Sequence, residues 1–163
     1  MKRILFFCTG NICRSPMAEV LGRHMFADLN LDFCSTGLNP VPGHGASRSS
    51  ADFVATCGLS LADHASRGFL PEELVQCAWV IGMTRSHAAQ FKARFGPLYG
   101  GKIGVLGAPG FDLARQPFSP PMEEVGDPFG RPRDRYFETG QQIQRLLAGW
   151  RETFEQLTGT EKS

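Results

Sequence analysis

The stretch CTGNICRSP, residues 8–16, stands directly between an unbroken apolar run, ILFF at residues 4–7, and a segment of helical periodicity that follows from Met17. A strand with one wet face would alternate, so a continuous run predicts a strand, residues 3–8, buried on both faces. A buried strand that turns through a glycine-bearing loop into a helix is the entry to a parallel α/β sheet. In such sheets, ligands bind where the C-terminal end of a strand hands over to a helix. This one stretch therefore constrains both the architecture and the place where its chemistry should lie.

The rest of the chain keeps the alternation. A helix is expected from Ser15-Pro16 to about residue 29, with Ser15 as its cap, Pro16 at the first helical position and Glu19 near the positive end of the dipole. Further strands are expected at 31–36, 77–83 and 102–106. Helices are expected at 47–57, ended by Gly58, and at 85–95, ended by Gly96-Pro97. Tyr136, Gly140, Ile143, Leu147, Trp150, Phe154 and Leu157 recur at steps of three and four. They predict one continuous final helix with an apolar stripe, in which Trp150 is core. Between the fourth strand and that helix, residues 107–134 are rich in Gly and Pro and lack periodicity, as a long functional loop does. At 163 residues the chain supports one domain, 1–157, of class α/β. We expect three layers: a four-stranded parallel sheet, helices on both faces, and an anion-binding loop after strand 1. The polar tail, 158–163, is expected to fray.

Composition narrows the function classes. Net charge is +1, so nothing draws the chain generally to nucleic acid, and attraction for an acidic substrate must be local. No apolar stretch approaches the roughly 18 residues of a membrane span, and the short opening run is no signal peptide. Five cysteines, an odd number, without close C-x-x-C spacing read as reduced thiols of a cytoplasmic protein. The four histidines, His24, His44, His64 and His87, stand far apart without other ligands at metal spacing, so neither metal nor cofactor is expected. A monomer or weak dimer is expected.

The loop itself carries the chemistry. A helix start offers unpaired N–H groups and partial positive charge, and Gly10 is expected to let the backbone curl so that these groups converge on a tetrahedral oxyanion. Thr9, Gly10, Asn11, Ile12, Cys13, Arg14 and Ser15 form this candidate phosphate cradle, in which Arg14 adds a planar pair of donors. The same positive field favours the thiolate of Cys8, a nucleophile when it faces a bound phosphate. The loop lacks the lysine of a nucleotide P-loop. By itself C-x5-R also allows a cysteine that merely packs at a strand end.

FFCTGNICRSPMAE closely resembles the signature of the low-molecular-weight protein-tyrosine phosphatases, in the bacterial branch that includes protein-arginine phosphatases. STG at 35–37, GLSLADHASR at 58–67, AWVIGMTRSH at 78–87 and DPFG at 127–130 match family segments in order. The resemblance implies a metal-free, two-step hydrolysis of phosphorylated protein substrates. In it Cys8 attacks phosphorus, Arg14 and the loop hold the phosphoryl oxygens, and Asp127 serves as general acid and then base. It further implies that the Ser15 hydroxyl bonds the nucleophilic sulfur and that Asn11, Ser35 and His64 brace the loop. It also implies that Cys13 can form a reversible disulfide with the nucleophile; packing alone is the equal alternative. Asp112, Glu123, Glu124 and Asp134 share the long loop with Asp127, and the resemblance decides among them.

Three readings compete with a tyrosine phosphatase. Arsenate reductases of similar fold need redox cysteines after the third strand, where this chain reads GMTRSHAAQ. A non-catalytic phosphate-binding module would have lost Cys8, Arg14 or Asp127. In protein-arginine phosphatases a threonine follows the loop asparagine, whereas isoleucine accompanies phosphotyrosine, and here the residue is Ile12. The family's tryptophan after strand two and its tyrosines after the DP pair are missing. Phe129 is left to stack on a substrate ring, and Arg131, Arg133 and Arg135 to meet acidic surroundings.

Overall fold

The computed structural model describes residues 1–116 and 120–159. Strand β1, Lys2–Cys8, runs beside β2, Leu31–Gly37, on one edge and β3, Cys77–Gly82, on the other, and β4, Lys102–Val105, completes the sheet in the order β2-β1-β3-β4. All pairings are parallel. The helices are α1, Arg14–Met25; α2, Arg48–Thr56; α3, Pro71–Leu74; α4, Arg85–Phe95; α5, Arg133–Ala148; and α6, Arg151–Leu157.

Side chains of a strand alternate between faces, and β1 divides its apolar run accordingly. Ile4, Phe6 and Cys8 join the core built with Met17 and Leu21 of α1, Phe53 of α2, Ile143 and Leu147 of α5 and Phe154 of α6. Leu5 and Phe7 join a second core under Leu74 of α3 and Phe91 of α4. The continuous hydrophobicity of the strand is thus the signature of two covered faces, and the three-layer α/β architecture follows. Because the chain winds outward from β1 in both directions, the crevice at the carboxyl end of β1 is the ligand position of the sheet.

Local differences from expectation have tertiary causes. The final helix is two helices, broken at Gly149 and Trp150, where both backbone N–H groups bond three residues back, to Leu146 and Leu147. The break seats Trp150 under the sheet. Its Nε1 donates to the Leu106 carbonyl at 2.9 Å, and its ring meets Trp79 edge-on at 4.9 Å. Helix α1 begins at Arg14 with Cys13 at the cap position and no side-chain cap. Ser15 is therefore not a cap, because its hydroxyl is turned back into the loop. Pro16 is the third helical residue, still within the turn whose N–H groups lack partners. Glu19 lies past the first turn and binds Ser35 and Arg23 instead of the helix end. Helix α3, at four residues, is too short to leave a period.

Among the described residues no helix is long and apolar enough to cross a membrane. Between β4 and α5 the described residues form no helix or strand. That long segment is pinned just past the end of β3, where the Val125 N–H donates to the Met83 carbonyl at 3.0 Å. Of the tail expected to fray, residues 160–163 lie outside the described residues.

Candidate active site

The loop leaves β1 at Cys8 and enters α1 at Arg14, and its shape is set from behind. Asn11 has φ 59°, the left-handed conformation that asparagine tolerates. Gly10, expected to supply the curl, does not use positive φ. The Asn11 side chain then holds three neighbours. Its Nδ2 donates to Ser15 Oγ at 2.9 Å and Ser35 Oγ at 3.0 Å, and its Oδ1 accepts the Arg67 N–H at 3.1 Å. The Ser35 hydroxyl in turn donates to Glu19 Oε1 at 2.7 Å. His64 Nε2 lies 2.7 Å from the Asn11 carbonyl; a carbonyl only accepts, so this nitrogen carries the proton. Asn11, Ser35 and His64 thus meet at one point behind the loop.

Ser15 Oγ lies 3.0 Å from Cys8 Sγ and 3.3 Å from the Thr36 carbonyl. Having accepted the Asn11 amide, this hydroxyl keeps its proton for the sulfur or that carbonyl, and a thiolate is the stronger acceptor. Cys8 is 2% exposed. Gly37, opposite Cys8 in the sheet, lets the loop lie directly on β2, since a Cβ there would stand 2.7 Å from the Thr9 carbonyl oxygen.

Arg14 is 5% exposed. Its Nη1 donates to the Val125 carbonyl at 2.9 Å, its Nη2 stands 3.8 Å from Asp127 Oδ2, and its Nε is buried without a partner among the described residues. A buried guanidinium N–H left unbonded costs free energy unless a ligand satisfies it. Arg14 lines a cleft of about 210 Å³ with Cys8, Thr9, Gly10, Ile12, Cys13, Asp127 and Phe129. Asp127 is half exposed, and the Phe129 N–H donates to its Oδ1 at 3.0 Å. This turn aims Oδ2 toward Arg14.

Cys13 is buried, its thiol 3.8 Å from the Tyr136 hydroxyl, and burial pushes that thiol above its ordinary value. All five cysteines are free, and no group of three potential metal ligands gathers among the described residues. Arg133 pairs with Asp52 and lies over Phe137, and Arg135 pairs with Glu138. Arg131 alone of these arginines has no side-chain partner among the described residues. A larger groove, about 550 Å³, runs from Asp127 past Arg131 and Arg135.

Residue-by-residue reading of the sequence assigned no role to Arg67 and Gly37 and weighed His87 only as a metal ligand. His87 Nε2 lies 3.1 Å from Thr9 Oγ1. The signal for His87 was topological: the loop after β3 must emerge beside the loop after β1.

The chain matches the model of the low molecular weight phosphotyrosine protein phosphatase family over residues 3–160. It is 30% identical over 147 residues to the low molecular weight protein-tyrosine-phosphatase Etp of Escherichia coli K12, covering 90% of each chain. It is 32% identical to the protein-arginine-phosphatase of Bacillus subtilis, covering 88% of this chain and 91% of that one. A solved low molecular weight protein tyrosine phosphatase from T. tengcongensis superposes with a TM-score of 0.80 at 27% identity, covering 94% of this chain and 99% of that one.

Proposed function

The chain belongs to the low molecular weight phosphotyrosine protein phosphatase family, and on that premise we propose that it hydrolyses phosphotyrosine in proteins through a cysteinyl-phosphate intermediate. In the first step the Cys8 thiolate attacks phosphorus in line, forming the S–P bond as the P–O bond to the aryl group breaks, while Asp127 delivers a proton to the departing oxygen. In the second, water gives a proton to Asp127 and attacks phosphorus, releasing phosphate and the Cys8 thiolate. The loop N–H groups and Arg14 hold the equatorial oxygens throughout. Ser15, once it has accepted the Asn11 amide, donates toward the sulfur and makes it a better leaving group. Asn11, Ser35 and His64 keep the loop in shape.

The observation that carries this reading is the unpartnered Nε of Arg14, buried in a cleft that also holds Cys8 and Asp127. It supports an anion as the missing partner, with nucleophile and acid beside it. Ile12 and Phe129, the latter 65% exposed, give that cleft apolar walls suited to an aromatic leaving group. The similarity to the Bacillus subtilis protein-arginine-phosphatase supports a second reading, phosphoarginine. Against it stands Ile12, whose side chain has no acceptor for a guanidinium N–H. Five free thiols support a reducing, cytoplasmic setting.

The test compares phosphotyrosine and phosphoarginine peptides on wild type and I12T, with C8S as control. Wild type should prefer phosphotyrosine and need no added metal, I12T should move toward phosphoarginine, and C8S should be inert. Preference of wild type for phosphoarginine would overturn the substrate, and activity of C8S the mechanism.

A further inference from the structure

Thr9 lies at the open side of the loop and lines the cleft, and its hydroxyl reaches back to His87. His87, in the first turn of α4, is 4% exposed. Its Nδ1 faces the Met83 backbone N–H at 3.3 Å. An N–H needs an acceptor, so the ring is neutral there, its proton sits on Nε2, and His87 donates to Thr9 Oγ1. Thr9 then keeps its own hydroxyl proton for the cleft.

The ring is seated by its surroundings. Thr84 Oγ1 accepts the His87 N–H at 3.1 Å and caps α4. The Phe7 ring tilts against the imidazole at 6.1 Å. Gly82 makes the space, since a Cβ there would stand 2.8 Å from His87 Cβ and 3.0 Å from Phe7 Cζ. Burial first, and then the charge of Arg14, lower the imidazole pKa to about 4, while Asp127 and Glu124 pull weakly the other way. The ring therefore stays a neutral, single-tautomer donor at neutral pH.

We propose that His87 is a positioning residue for the phosphatase reaction: through Thr9 it holds the front of the anion loop, as Asn11 holds its back. The proposal rests on the phosphatase reading above. Phosphoryl transfer in this cleft depends on several N–H groups meeting the equatorial oxygens at once, so a loop free to shift by about 1 Å forfeits rate out of proportion to stability.

Steady-state kinetics on p-nitrophenyl phosphate at pH 7, with thermal unfolding of every variant, test it. H87F fills the space without donating and should lose about 10- to 100-fold in kcat/KM, with an unfolding midpoint lowered by only a few degrees because the Met83 N–H also loses its acceptor. H87Q, whose amide can donate, should recover most of that loss, which a role in packing alone would not restore. T9A should be impaired like H87F, and the double variant no worse than either single, because both remove the same bond. If H87F does not fold, H87A takes its place in the cycle. Full activity in H87F, equal impairment of H87Q and H87F, or additive losses in the double variant would overturn the proposal while leaving the phosphatase reading intact. An inactive wild type would overturn both.

Discussion

Within the cleft, two cysteines five positions apart carry different chemistry because their neighbours differ. Cys8 faces a hydroxyl with a proton to spare, whereas Cys13 is buried against Tyr136 and its thiol is held up by that burial. C13S should therefore keep most aryl phosphatase activity, while C8S loses it. The disulfide that the family resemblance implies between Cys13 and the nucleophile has a direct test: failure of C13S to recover after peroxide and thiol treatment would make Cys13 the resolving thiol, and recovery equal to wild type would leave it a packing residue. Asp127 is half exposed and is positioned by the turn at Pro128-Phe129. D127A should cost about 10²–10⁴-fold in kcat, the usual share of a positioned acid, with the loss shrinking for substrates whose leaving group needs no proton. Arg131, exposed beside Asp127 without a side-chain partner among the described residues, should select acidic flanks: R131E is expected to weaken kcat/KM on glutamate-flanked phosphopeptides at low salt and to leave p-nitrophenyl phosphate hydrolysis near wild type.

Among the elements, the anion loop is fastened to β2 and to the segment between α2 and α3. The Leu38 and Asn39 N–H groups donate to the Cys8 and Thr9 carbonyls, both at 2.9 Å, and Gly37 admits the loop at that distance. G37A should lower kcat/KM by at least 10-fold, because the new Cβ pushes on loop backbone and not on a movable side chain; intact kinetics would show that the contact is compliant. Arg67, whose N–H holds Asn11, is itself clamped by Glu73 through two bonds at 2.8 and 2.7 Å, and Glu73 also takes Arg3 at 2.9 Å. E73A strands the partly buried guanidinium of Arg67 and leaves Arg3 only its Asp32 partner, and should cost about 2 kcal/mol in urea unfolding, between the surface and fully buried values for ion pairs. The β-strands, α1, α2 and α4 were readable from hydrophobic period and turn residues. The break between α5 and α6 was not, since Leu147, Trp150 and Phe154 keep the same spacing through it.

At the scale of the molecule, His87 couples the site to stability. The imidazole is neutral in the folded protein, with its pKa lowered to about 4, and protonates near 6.5 once unfolded. Between those values the unfolded chain binds the extra proton, so stability should fall as pH drops from about 6.5 to about 4 and show no contribution from His87 above that window. H87Q should flatten this part of the profile in denaturant titrations; an unchanged slope would assign it to other groups. Trp150 closes the core behind the sheet, and W150A should cost about 3–5 kcal/mol. What the amino-acid sequence by itself determined is what local rules can carry. A continuous apolar run made β1 a doubly buried strand, and the C-x5-R string at its end, read with the family resemblance, marked the candidate anion loop. Bringing Cys8 and Arg14 to one cleft needed only the few residues that separate them. Only the tertiary structure decided that Asn11 and not Gly10 bears the strained backbone, that the Ser15 hydroxyl turns into the loop and leaves the helix end uncapped, and that His87 stands behind Thr9. Asn11 depends on Ser35, 24 residues away, Ser15 on the Thr36 carbonyl, 21 away, and His87 on Thr9, 78 away; parallel pairing of β1 with both β2 and β3 brings these together, and no local pattern encodes a neighbour across a sheet.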